Sequence, residues 1–144
     1  MKADDSVIKL VEKQKASEES MVKAVEALEA RVHSEAARLI LTELRFDSSK
    51  HARICEEILK VAAKTEPDRL WDARIENYVD MLVVKKELKR HVNLEELMLK
   101  DVENVIAHTK DEAIKLLFTH IAEDEKKHHK NIELILRKSY ALAP

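Results

Sequence analysis

In the string RFDSSKHARI, Asp47 and His51 stand four residues apart; in AEDEKKHHKN, Asp124 and His128 do the same. Glu125 stands three residues before His128. On a helix that spacing puts a carboxylate and an imidazole one turn apart on one side. Two further acids, Glu18 and Glu95, open the strings EESMVKAVEAL and EELMLKDVENV. Three Glu side chains and two neutral His side chains form an oxygen-and-nitrogen donor set suited to iron, manganese or zinc. Taken alone, Asp47 and His51 also read as a satisfied buried ion pair; the wider setting favours a metal.

These residues must be positioned by helices. Apolar residues recur at helical spacing almost throughout, which predicts helices at about 4–30, 34–63, 78–107 and 111–139. Asp4 or Asp5 is a candidate cap for the first, Ser34 for the second, and Thr109 or Asp111 for the fourth. Residues 64–77 hold Pro67 and Trp71 and read as a connector. At 100° per residue, Glu18 falls on a stripe with Val7, Val11, Val22 and Val25, whereas Glu19 falls with Glu12, Lys15, Lys23 and Glu26. Glu95 lies with Leu88, Leu99, Val102 and Ile106. His51 shares a face with Ile40, Leu44, Ile54, Cys55 and Ile58. His128 shares one with Leu117, Ile121, Ile132 and Ile135, with Glu125 on the same side. The expectation is an interior that collects Glu18, Asp47, His51, Glu95, Asp124, Glu125 and His128. A buried carboxylate must be protonated, paired or metal-bound.

The chain repeats itself at an offset of 77 residues. Glu18 maps to Glu95 and His51 to His128, and residues 16–62 lie over 93–139 without a gap, about a third of the pairs being identical. The unit of repetition is a helical hairpin, 4–63 and then 78–139. Two such units joined by a crossover at 64–77 predict a single all-α domain over residues 1–144, a four-helix bundle with an approximate twofold axis.

This pattern resembles the ferritin-like superfamily, above all its rubrerythrin and bacterioferritin branches, over about residues 7–139. The family pattern takes one Glu from helix 1, Glu-x-x-His from helix 2, one Glu from helix 3 and Glu-x-x-His from helix 4. Glu18, His51, Glu95, Glu125 and His128 match it; Ser48 stands where the helix 2 Glu belongs. The resemblance implies that Asp47 orients His128 and Asp124 orients His51. It implies a di-iron or mononuclear iron site, with manganese or zinc as other occupants. The activity implied is that of a ferroxidase or peroxidase acting on dioxygen or hydrogen peroxide with a separate electron donor. Ser48 removes one carboxylate, and His91, one turn before Glu95, is the nearest replacement. Ser49 stands where a bacterioferritin-style haem ligand would be Met, so no haem is expected. No helix is expected after residue 139, which argues against a ferritin cage. A hemerythrin-like reading, prompted by His91 and Glu95 as His-x-x-x-Glu, lacks the other histidines that family needs.

Composition narrows the rest. The formal net charge of −2 excludes a strongly basic nucleic-acid footprint. The chain has no Gly, which favours long helices with few connections. Cys55 is the only cysteine, so no disulfide and no thiolate cluster can form within the chain. The charged N-terminal string MKADDSVIKLVEK predicts neither a signal peptide nor a membrane span, and the expected location is the cytoplasm. Cys55 reads as a core residue, Met21, Met81 and Met98 as filler, His91 and His120 as packing or rim residues rather than ligands, and His129 as solvated. A homodimer is expected from the bundle size. The competing class is a helical structural or interaction protein that keeps a degenerate metal site.

Overall fold

A computed structural model describes residues 5–66, 69–72 and 78–139. They form four α-helices: α1 (Asp5–Glu29), α2 (Glu35–Ala62), α3 (Tyr78–His108) and α4 (Glu112–Ser139). No strand occurs among the described residues. All four lie within a residue or so of the spans predicted from periodicity. The chain divides into two compact units, residues 1–70 and 71–144. Each is a helical hairpin: α1 packs on α2, and α3 packs on α4. The expected crossover falls partly outside the described residues, which omit 67–68 and 73–77. Among the described residues no helix is long and apolar enough to cross a membrane.

Polar side chains set the helix ends. Ser34 caps α2 with extended backbone (φ −86°, ψ 129°), and its hydroxyl accepts from the Ala37 amide at 3.2 Å. Before α4, Asp111 Oδ1 accepts from the Ile114 amide at 2.9 Å, and Thr109 Oγ1 accepts from the Asp111 amide at 3.2 Å. Both residues named from the sequence thus act at this helix start. After α1, the Arg31 and Val32 amides both donate to the Leu28 carbonyl. No described residue has positive φ. The turns are therefore closed by caps and by tightened helical hydrogen bonds.

The seam of hairpin 1 buries Val25 from α1 against Ser48, Ala52 and Cys55 from α2. Those α2 positions follow the i, i+4, i+7 rule of one helix face. The seam of hairpin 2 buries Val102 from α3 and Ala122 and Glu125 from α4. Val25 and Val102 are repeat mates, as are Ser48 and Glu125. Hairpin 1 also carries an ion pair across its seam, Arg45 Nε to Glu29 Oε1 at 2.8 Å, with both side chains partly buried. That bond, with the other negative charge at Glu26, holds the Arg45 guanidinium above its usual pKa.

The structure corrects one expectation about the core. Ile40, Leu44, Ile54 and Ile58, placed inside by periodicity, are exposed on α2, as are Ile121 and Ile135 on α4. Met21 and Met98, expected as filler, are exposed too. The reason is geometric. A helix in a two-helix hairpin has one partner within its unit, and that partner covers one stripe of side chains. Periodicity marks every apolar stripe without saying which neighbour covers it.

Candidate metal centre

In hairpin 2, α3 presents Glu95 one turn pair before Val102, and α4 presents Glu125 one turn after Ala122. Both acids are thereby carried to the seam by the same faces that bury the apolar residues. His128 follows one turn beyond Glu125, at the edge of that face. One donor atom from each of Glu95, Glu125 and His128 lies within 4.8 Å of the others. His128 Nδ1 is 3.8 Å from Glu95 Oε1. The two acids are enclosed, Glu125 being only 8% exposed, whereas the imidazole is about half exposed.

Glu95 Oε2 and Glu125 Oε2 are buried and have no hydrogen-bond partner. Two enclosed carboxylates without donors are unfavourable as a pair of anions. The titration of Glu125 reflects this: its pKa is pushed up to about 7. The largest cause is a proton shared with Glu95, followed by burial and by the charges of Glu95 and Asp124. A proton on Glu125 supplies the donor that two ionised groups lack. A cation would relieve the same repulsion without one. Metal–oxygen and metal–nitrogen bonds near 2.0–2.2 Å require donors roughly 3–4 Å apart, a contraction the exposed imidazole can make by turning.

Hairpin 1 is arranged differently around the repeat-related residues. Glu18 Oε1 accepts from Gln14 Nε2 at 2.9 Å, and His51 Nδ1 lies 3.4 Å from the same oxygen. Ser48, the mate of Glu125, is buried at the seam and brings no charge. Glu18 is mostly enclosed, and His51 is about half exposed. The structure therefore brings the sequence-predicted residues together as two sets, Glu18 with His51 and Glu95 with Glu125 and His128.

The remaining predicted residues sit as follows. Asp47 meets Lys50 at 3.8 Å and Asp124 meets Lys127 at 2.9 Å, each one turn along its own helix. His91, expected to face inward beside Glu95, is exposed. His129 pairs with Glu133 at 2.9 Å along α4. Cys55 is buried in the seam. Sequence reasoning missed Gln14. Its signal was available, since a Gln one turn before a Glu on a helix is a side-chain hydrogen-bonding pair. It also missed Glu29 and Arg45, two charges on stripes that otherwise face the partner helix.

A groove of about 580 Å³ elsewhere on hairpin 1 is lined by Val7, Ile54, Ile58, Val61 and Leu70, among others. It contains none of the predicted ligands. No family model matches this chain, no curated protein matches it, and no solved structure does either.

Proposed function

We propose that this chain is a ferritin-like metal protein whose hairpins close into a four-helix bundle around a non-haem iron site, with ferroxidase or peroxidase activity. The single observation that carries the reading is the pair of buried, donorless oxygens on Glu95 and Glu125 beside His128. Hydrophobic cores do not keep two facing carboxylates unless a proton or a cation neutralises them. The residues fit the group: two carboxylates balance a divalent charge, and one imidazole adds a borderline donor. Manganese or zinc would fit the same donors.

When bound, iron would supply the one-electron chemistry toward dioxygen or hydrogen peroxide, with electrons from a separate donor. The chain's own residues would do the rest. Glu95 and Glu125 would hold the charge in place, and the exposed side of His128 would leave a path from solvent. In this reading Glu18 and His51 stay paired with each other on hairpin 1, outside the ion's ligand set, and Asp47 and Asp124 orient the imidazoles across the bundle. The exposed stripes through Ile40, Leu44, Ile54 and Ile58 favour such closure, since large apolar faces seek a partner. The same stripes also favour a second reading, a helical interaction protein that has kept a degenerate site.

Metal analysis of the chain purified without chelator separates the two. Bound iron, and oxidation of added Fe(II) that is lost in the Glu125→Gln, His128→Ala double variant, supports the iron protein. A chain that takes up no metal when offered Fe(II) anaerobically, and is equally heat-stable with and without it, supports the interaction protein.

A further inference from the structure

We infer that the two halves of the repeat have parted in chemistry: hairpin 2 alone holds one divalent cation, on Glu95, Glu125 and His128, while the Glu18–His51 contact of hairpin 1 is closed and holds none. This rests on the metal-binding reading above and fixes its stoichiometry at one per chain.

The difference begins with charge. Once both acids are ionised, the hairpin 2 set carries two negative charges at the seam, which a divalent cation cancels. The hairpin 1 set carries one, because Ser48 replaces the second acid. It continues with hydrogen bonding. In hairpin 1 the Gln14 amide already donates to Glu18 Oε1, and His51 approaches the same atom. In hairpin 2 the repeat mate of Gln14 is His91, which is exposed, and an oxygen of Glu95 and one of Glu125 remain buried without partners. Glu125 is more than nine-tenths buried and sits among the other two donors. One hairpin thus neutralises its acid with neutral donors from its own helices. The other keeps two buried carboxylate oxygens that no donor reaches, with His128 Nδ1 3.8 Å from the other oxygen of Glu95.

The test is anaerobic equilibrium dialysis of the full chain against Fe(II) alone, with metal counted by mass spectrometry and folding checked by circular dichroism. One equivalent per chain is expected. Glu95→Gln and Glu125→Gln, which keep side-chain shape, should each weaken binding at least about tenfold, while Glu18→Gln should leave the affinity unchanged. Ser48→Glu should add a second equivalent. Two equivalents in the parent chain, or a loss in Glu18→Gln matching that in Glu125→Gln, would overturn the inference and leave the metal-binding reading standing. No bound metal at all would overturn both. The Gln variants decide the matter even if Ser48→Glu does not fold.

Discussion

The two hairpins share a frame and differ in how they treat polar groups at the seam. In hairpin 1, Arg45 answers Glu29, and Gln14 and His51 answer Glu18. The equivalents of Glu29 and Arg45 in hairpin 2 are Ile106 and Ala122, which are apolar. There the acids at the seam are Glu95 and Glu125, each with one buried oxygen that no donor reaches. A duplicated scaffold can therefore spend the same positions in two ways. One copy supplies its own counter-charges and is complete without a ligand; the other holds repulsion that a ligand can discharge.

Metal should sharpen the contrast most. Fe(II) at about 100 times its dissociation constant should add about 2.7 kcal/mol to the unit that binds it. Hydrogen exchange should show that protection in α3 and α4 and little in α1 and α2; uniform protection would erase the distinction. Core truncation comes next. Val25 is 1% exposed, so Val25→Ala should cost about 2 kcal/mol, measured by urea denaturation. The mate Val102 is 9% exposed, and Val102→Ala should cost less.

Acidity should act on hairpin 2 through Glu125. The folded pKa of Glu125, about 7, lies above the ordinary value of 4.5. Its folded form binds the proton more tightly, so the destabilisation is absent below about pH 4.5, grows as pH rises, and is complete above about pH 7. The hydrogen bond with Glu95 from α3, burial, and the charges of Glu95 and of Asp124 on α4 set that window. Metal-free protein should therefore lose α3–α4 exchange protection between about pH 4.5 and pH 7. Glu125→Gln should flatten that slope and leave the metal-free protein more stable at pH 8. A slope that survives in this variant would assign it to another group. The smallest effect should come from Arg45→Met, a modest loss confined to hairpin 1 that shrinks at high salt, because the Glu29 pair is partly solvated.

Much of this arrangement was legible in the sequence because it depends on short-range regularity. Helix spans followed from apolar spacing, and Ser34 and Asp111 announced their helix starts by residue type. The offset of 77 exposed the paired hairpins and matched Glu18 with Glu95 and His51 with His128, and Glu125 stood out by its place three residues before His128. What periodicity could not supply was the partner of each stripe. Ile54 and Ser48 both read as inward, yet Ser48 is buried at the seam and Ile54 is exposed. His91, read as inward or at the rim, is exposed one turn from Glu95. Gln14 was passed over because an amide is unremarkable until the carboxylate it serves is known to be enclosed.

The turns that close both hairpins are made without any left-handed residue, in a chain that has no glycine. Their geometry suits ordinary side chains, so glycine would bring no relief to the folded backbone there. It would only widen the range of shapes open to the denatured chain, so that Arg31→Gly or Lys110→Gly should each lower stability by about 0.4–1 kcal/mol. Part of what keeps these hairpins folded is therefore a restriction on the disordered state: its backbone starts with less freedom to lose.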